Sequence, residues 1–121
     1  MPEEKESGHR LAGRLYATLR VLKYLGAPAG AGPVEEEVRE DKTGPAERIR
    51  DLRSEPFRAL LAVRGNGRRE AAVELFRSLP DLLPPQGVPA ATMNPQEIRE
   101  FAEGHRAQLA DIKEKFPGLL K

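Results

Sequence analysis

The side chains that could carry out catalysis are few in this chain. There is no cysteine, which excludes thiolate nucleophiles, disulfides and cysteine-ligated zinc. The serines are Ser7, Ser54 and Ser78, and none of them lies in a strand–turn–helix nucleophile elbow. Ser54 and Ser78 stand at expected helix ends, where a hydroxyl more often bonds to the backbone. The serines therefore give no indication of a nucleophilic enzyme.

The two histidines, His9 and His105, are the remaining groups suited to proton transfer or metal binding. They stand on different predicted helices, and no nearby carboxylates have metal-site spacing. A zinc site needs three or four ligands. We therefore predict no catalytic residue, no metal and no cofactor. An enzyme would require both histidines to converge with a carboxylate in a pocket.

The distribution of arginine indicates binding instead. Residues 44–79 carry eight arginines and five acidic residues, a net charge of +3, whereas the whole chain carries +1. Arginine presents a rigid donor fork suited to phosphates, although a +3 segment is also compatible with ordinary solvated helix faces. Within this segment, the cations that we predict to contact phosphates are Arg64, Arg68, Arg69 and Arg77.

A glycine-rich loop precedes two of these arginines, in the order Gly65-Asn66-Gly67-Arg68-Arg69. Backbone amides at a glycine-rich helix start can approach an anion. The loop lacks the lysine and hydroxyl of a Walker motif, so a specific nucleotide site is disfavoured. Two interpretations remain, a contact with a phosphate backbone and a plain turn between helices.

The first predicted helix carries a second candidate surface, opposite its leucine stripe, made of Tyr16, Arg20, Lys23 and Tyr24. Aromatic rings beside cations suit stacking on bases with phosphate contact. Tyrosine and arginine are also frequent anchors in protein interfaces. A third possibility is that the tyrosines pack inside the same bundle, since tyrosine is amphipathic.

The elements that would position these residues are predicted to be helical. A chain of 121 residues fits one domain, and 39% hydrophobic with 5% aromatic residues implies a core of Leu, Ala, Val and Ile. No apolar run is long enough to span a membrane, and no signal-peptide pattern opens the chain. With no cysteine, a reducing compartment is the simpler expectation, so we predict a cytoplasmic protein.

Helical periodicity predicts an all-α protein, a compact bundle of about five helices with long first and last helices. The first spans residues 9–25, and a glycine- and proline-rich connection follows at 26–33. Asn94-Pro95-Gln96-Glu97 predicts the start of the last helix, with a capping box and proline at the first turn. The shorter predicted segments are an acidic helix at 34–41 and helices from Pro45, from Ser54 or Glu55, and over 68–79. We assign residues 1–7 to a disordered tail and residues 8–121 to a single helical domain.

Two motifs resemble a known family. Gly13-Arg14-Leu15-Tyr16 looks like a Gly-Arg-Leu-aromatic signature, and a Thr-x4-Glu-x3-Phe-Ala-x-Gly-x3-Gln pattern is formed by Thr92, Glu97, Phe101, Ala102, Gly104 and Gln108. Both motifs, in this order, are similar to the C-terminal helical region of the type I-C CRISPR large subunit, which is also made separately as the small subunit of the Cascade complex. The chain departs from that family at His105, Arg106 and Ala107, where aromatic residues and a histidine usually follow the glycine.

The resemblance implies a non-catalytic small subunit of an RNA-guided DNA surveillance complex, stabilising the R-loop through backbone contacts and subunit stacking. Its partners would be other Cascade subunits, further copies of itself, guide RNA and the target DNA backbone, with no membrane and no small-molecule substrate. Base pairing would supply sequence specificity. The predicted phosphate contacts then include three residues of the first helix, Arg14, Arg20 and Lys23, with Tyr16 and Tyr24 for stacking or subunit contact.

A second hypothesis from the sequence is a protein–protein adaptor, such as an inhibitor, an antitoxin-like protein or a phage structural subunit.

Overall fold

The computed structural model describes residues 6–27 and 34–120, and within them it contains helices and no strand. The helices are α1 (Gly8–Gly26), α2 (Pro45–Arg50), α3 (Glu55–Ala62), α4 (Asn66–Ser78) and α5 (Pro95–Lys115), with a 3₁₀ turn at Leu79–Leu82. The predicted all-α bundle of about five helices, with the first and last longest, is confirmed.

Side-chain caps define the starts of the two long helices. Ser7 Oγ accepts a hydrogen bond from the backbone N–H of Arg10 at 3.1 Å. At α5, Asn94 Oδ1 accepts from Glu97 N–H at 2.8 Å, and Glu97 Oε1 accepts from Asn94 N–H at 2.9 Å. This reciprocal pair is the predicted capping box, which satisfies amides that have no partner inside the helix.

Helix α1 is the centre of the bundle, since it contacts all the other helices and the 3₁₀ turn. It is buried around most of its circumference, at Ala12, Gly13, Leu15, Ala17, Thr18, Leu19, Val21, Leu22 and Leu25. Its last two turns form the largest core cluster with residues of α3, α4 and α5. The leucine stripe predicted from periodicity is therefore only part of its buried surface.

Helices α1 and α5 run side by side in the same direction, since partners advance along both chains from His9–Glu97 to Thr18–Gln108. Glycine sets their separation. A Cβ atom on Gly13 would lie 2.0 Å from the carbonyl oxygen of Phe101, and one on Gly104 would lie 2.0 Å from that of Arg10. The two backbones are thus in direct contact, closer than any other residue type permits.

Buried polar side chains stabilise this crossing. Gln108 Nε2 donates to Thr18 Oγ1 at 3.0 Å, and the Thr18 hydroxyl donates to the carbonyl of Arg14 at 3.0 Å. Arg14 Nη1 in turn donates to Gln108 Oε1 at 2.9 Å. The side chains of Thr18, Gln108 and Arg14 thus satisfy one another at the crossing, which allows these polar groups to be buried there.

The acidic segment that precedes α2 is not the predicted short helix at 34–41, and that prediction was wrong. Residues 34–44 form an irregular segment whose glutamates pair with distant helices instead of with local backbone. It is fixed to the chain before α5 by a hydrogen bond from Met93 N–H to the Lys42 carbonyl at 2.9 Å. Gly44 permits this approach, because a Cβ there would lie 2.5 Å from the Ala91 carbonyl oxygen.

Helix α3 turns a different face to the core than its apolar pattern indicates. Phe57 and Leu61 are apolar residues of this helix, yet they are 66% and 88% exposed. The buried face is formed by Pro56 and Ala59, because the C-terminal end of α1 comes too close for large side chains. A Cβ on Gly26 would lie 2.9 Å from the Ala59 Cα.

Two predictions fall on the edges of the described residues. Residues 1–5 of the predicted tail lie outside them, whereas Ser7 caps α1 and Glu6 accepts hydrogen bonds from Arg10 and Arg14. Most of the predicted connection at 26–33 also lies outside, since residues 28–33 are not described.

Replacing Gly104 with alanine should destabilise the protein by about 1–3 kcal/mol, because the added methyl meets backbone that cannot move without separating α1 from α5. Urea denaturation followed by circular dichroism measures this. Gly67→Ala is the matched control, since nothing lies within 4 Å of a Cβ there; it should be neutral or slightly stabilising. Equal stability of the two variants would contradict the close crossing.

Candidate functional site

A cleft of about 570 Å³ opens beside α1, bordered by α2 and the irregular segment. We call it the tyrosine cleft, and its lining residues are Tyr16, Arg20, Lys23, Tyr24, Ala27, Val34, Arg39, Thr43, Glu47, Arg48, Arg50, Asp51 and Leu52. Five of these are cationic and two are acidic, so the cleft carries a positive excess. All four residues of the second candidate surface on α1 line it.

The spacing of these four residues on α1 explains why they share the cleft. Tyr16 is followed at four, seven and eight residues by Arg20, Lys23 and Tyr24, which places them on one face of a helix. The opposite face of α1 is fixed in the core. The side of the cleft that α1 forms is therefore held rigidly by the packing of this central helix.

Tyr16 is held by packing inside the bundle as well as lining the cleft. Its ring centroid lies 5.5 Å from that of Phe101 and 5.8 Å from that of His105, in tilted arrangements. The Arg20 guanidinium lies 5.3 Å from the Tyr16 ring centroid. Packing inside the bundle, one of the three roles considered for the tyrosines, therefore applies to Tyr16. The same residue also lines the cleft.

Arg20 is oriented by two partners. Its Nη1 lies 3.1 Å from Nε2 of His105, and its Nη2 donates to Glu35 at 3.3 Å. Because guanidinium can only donate, Nε2 must be the acceptor and the ring proton resides on Nδ1. Nδ1 is buried without a hydrogen bond of good geometry among the described residues.

Burial, and then the charge of Arg20, lower the pKa of His105 to about 4 from 6.5. Arg106 acts in the same direction, and the nearby backbone of Glu36 partly offsets both. His105 is therefore neutral at physiological pH and serves as a fixed acceptor for Arg20. A general acid or base would need a pKa nearer to neutrality.

Arg48 is also committed to the fold. Its side chain is 4% exposed and donates to the carbonyls of Thr43 and Asp41, and to the Asp41 carboxylate at 2.8 Å. Its guanidinium lies 5.2 Å from the Phe101 ring centroid. Arg48 therefore joins α2 to the irregular segment and supplies positive charge to the cleft from below its surface.

Arg14, a predicted phosphate contact, lies at the α1–α5 crossing. Its side chain donates to Glu6 at 2.7 Å and to Asp111 at 3.1 Å, besides Gln108. Two carboxylates offset its charge. The structure thus places Arg14 apart from the other members of the predicted set, in a network that fastens the start of α1 to α5.

The basic middle of the chain meets α1 at one point. The Arg68 guanidinium lies 5.6 Å from the Tyr24 ring centroid, at the start of α4. The other predicted cations of this region, Arg64, Arg69 and Arg77, are exposed along the α3–α4 turn and α4, and form no ion pair with another described residue. Arg68 therefore connects the two surfaces predicted separately from sequence.

Three cleft cations were missed by sequence reasoning, namely Arg39, Arg48 and Arg50. Arg48 and Arg50 stand in the last turn of α2, which the sequence marked only by Pro45 and two apolar residues. For Arg48 and Arg50 the available signal was the arginine-rich composition of residues 44–79, a segment that does not include Arg39. It could not show which arginines face α1.

The two histidines do not converge on a shared carboxylate in the described part of the chain. His9 Nε2 lies 3.5 Å from Glu97, whereas His105 faces Arg20. No group of three histidine, aspartate or glutamate side chains placed to hold a metal ion occurs among residues 6–27 and 34–120.

A second exposed feature is apolar. Phe57 and Leu61 project from α3, and the Phe57 ring contacts Phe76 of α4 edge-on at 5.5 Å between centroids. We call these three residues the α3 patch. Large exposed apolar side chains gathered together are typical of interaction sites.

Comparison with known proteins adds no relative. No family model matches the chain, and no curated protein or solved structure matches it. Among the described helices, none is both long and apolar enough to cross a membrane.

The lowered pKa of His105 predicts that the folded protein loses stability in mild acid. Unfolded histidine takes up a proton near pH 6.5 and the folded one only near pH 4, so stability falls as the pH drops through this interval. The loss attributable to His105 is about 3 kcal/mol at most.

Urea denaturation of the wild type and of His105→Gln over this interval tests the prediction. The wild type should lose stability more steeply than His105→Gln, because only the wild type carries the buried imidazole whose pKa the fold lowers. Parallel curves for the wild type and His105→Gln would show that His105 is not kept neutral by the fold.

Proposed function

We propose that this protein is a non-catalytic nucleic-acid-binding subunit, and that a single strand lies in the tyrosine cleft. The observation that carries the proposal is the gathering of two tyrosines and five cations around one concave surface. Proteins that bind single strands without sequence preference combine such a basic groove with aromatic rings on which bases stack.

The size of the cleft fits this ligand. About 570 Å³ falls within the range of about 300–1,000 Å³ typical of pockets that bind small organic groups, so there is room for a base and its phosphate. A concave surface of this kind suits an unpaired strand, because recognition of a duplex groove needs a protruding element.

Of the five cleft cations, Arg39 is exposed and lies 3.6 Å from the Asp41 carboxylate, and the other four divide into two groups by their partners. Arg20 is hydrogen-bonded to His105, and Arg48 is hydrogen-bonded to Asp41. Both therefore contribute positive charge from fixed positions. Lys23 and Arg50 are exposed and form no ion pair with another described residue, which leaves their donors available for phosphates. Phosphate binding by Lys23 and Arg50 requires no internal contact to break.

We further propose that the subunit belongs to a cytoplasmic RNA-guided DNA surveillance complex, as the small subunit of a Cascade-type assembly. Support comes from the sequence resemblance, whose residues Gly13, Tyr16, Phe101, Gly104 and Gln108 all meet at the α1–α5 crossing. These five residues thus form one packing interface between α1 and α5. The resemblance therefore supports a similar helical bundle more strongly than a similar ligand. The α3 patch would then contact a neighbouring subunit.

The alternative function is a protein–protein adaptor without nucleic acid. The observation that favours it is the α3 patch, since Leu61 is 88% exposed and its neighbour Phe57 66%. Such an adaptor would use the patch as its partner-binding surface, and the positive charge of the cleft would only keep the chain soluble.

The double variant Lys23→Gln/Arg50→Gln should weaken binding of oligothymidylate and flatten its salt dependence. Removing one phosphate interaction reduces the slope of log K against log salt by about 0.7 for single strands, so the change for two should be about 1.4. Fluorescence anisotropy titrations at several salt concentrations measure the slope.

The matched control is Arg77→Gln/Arg99→Gln, which removes two exposed cations away from the cleft that form no ion pair with another described residue. It should retain nearly the wild-type slope. An equal reduction in both variants would mean that binding follows net charge and not the cleft. Absence of oligothymidylate binding by the wild type at low salt would favour the adaptor.

A further inference from the structure

Three consecutive glutamates of the irregular segment each pair with a different cation of the bundle. Glu35 accepts from Arg20 of α1 at 3.3 Å, and Glu37 from Arg106 of α5 at 3.1 Å. Glu36 accepts from Lys113 of α5. The acidic segment thus lies across a row of positive charge formed by the two long helices.

The row is built into the helices and does not depend on the glutamates. Arg106 and Lys113 are seven residues apart on α5, which is two turns and about 10.5 Å along one face. Arg20 stands on the adjacent helix with its side chain 17% exposed. Hence cations remain aligned at this surface whether or not the acidic segment covers them.

The covering contacts are weak. The side chains of Glu35, Glu36 and Glu37 are 79%, 67% and 70% exposed, and ion pairs this exposed contribute little to stability because solvent screens the charges. Hydrogen bonding from Lys113, and then its charge, hold the pKa of Glu36 below its ordinary value, so this carboxylate stays an anion beside the row. A polyanion with several phosphates can therefore compete with them.

The row is continuous with the tyrosine cleft. Arg20 belongs to both, and Val34, which directly precedes the glutamates, lines the cleft. A strand leaving the cleft past Arg20 meets the acidic segment next.

We propose that Arg20, Arg106 and Lys113 form a second phosphate-binding row, and that Glu35–Glu37 occupy it as an internal mimic of a polyanion. This rests on the proposed function, since it assumes that the ligand is a nucleic acid strand. Binding of a strand longer than the cleft displaces the glutamates from the row. The acidic segment thereby lowers affinity for any polyanion too short or too weakly charged to displace it.

The test compares two triple variants that each raise the net charge by three. Glu35→Gln/Glu36→Gln/Glu37→Gln uncovers the row, and Glu70→Gln/Asp81→Asn/Glu114→Gln removes exposed carboxylates that form no ion pair with another described residue. Oligothymidylate should bind the first variant on the order of tenfold more tightly than the second, with a salt slope steeper by about 2 for three added phosphates. Adding Arg106→Gln and Lys113→Gln to the first variant should remove about two thirds of the added salt slope, because these are two of the three row cations.

The outcomes separate the two proposals. If the wild type binds and Lys23→Gln/Arg50→Gln weakens it, but both triple variants bind alike, the second row is refuted and the cleft stands. If the gain survives removal of Arg106 and Lys113, the row is refuted as well. If neither the wild type nor either triple variant binds at low salt, the proposed function itself fails.

Discussion

The backbones of α1 and α5 touch where Gly13 faces Phe101 and Gly104 faces Arg10. A side chain at either glycine would push the helices apart, because interiors are close-packed and backbone atoms cannot yield as a flexible side chain can. The contact brings the Tyr16 ring within 5.5 Å of Phe101, measured between centroids, and lets Arg20 reach His105. Tyr16 and Arg20, two residues of the cleft wall on α1, therefore take their positions from this crossing.

The same crossing determines which cations can act on a ligand. Arg14 and Arg20 are oriented by contacts with α5 and with carboxylates, so Arg20 can reach a phosphate only after Glu35 is displaced, whereas Lys23, one turn further, projects into the cleft. Buried neutral His105 accepts from Arg20 without adding a charge. Positive charge is thus concentrated beside α1 by residues whose own geometry is fixed, which is the preorganisation that polyanion binding requires.

Much of the bundle could be predicted from sequence, because helix periodicity and capping are local signals. The capping box at Asn94 is confirmed to the residue, since every group that forms it lies within four positions. The segment at 34–41 could not be predicted, because its glutamates pair with cations up to 77 residues away. Likewise, the outward face of α3 depends on the proximity of Gly26 to Ala59, which no pattern within α3 reveals. For the cleft, the α1 face was predicted, but the arginines that α2 adds to it were not.

The most direct test of the central claim is a two-dimensional amide NMR titration of the wild-type protein with oligothymidylate. A single strand in the cleft predicts that the largest shift changes fall on Tyr16, Lys23, Tyr24 and Arg50, whereas Phe57 and Leu61 of the α3 patch stay unchanged. Shift changes confined to the α3 patch, or none at low salt, would contradict the claim that this cleft binds nucleic acid.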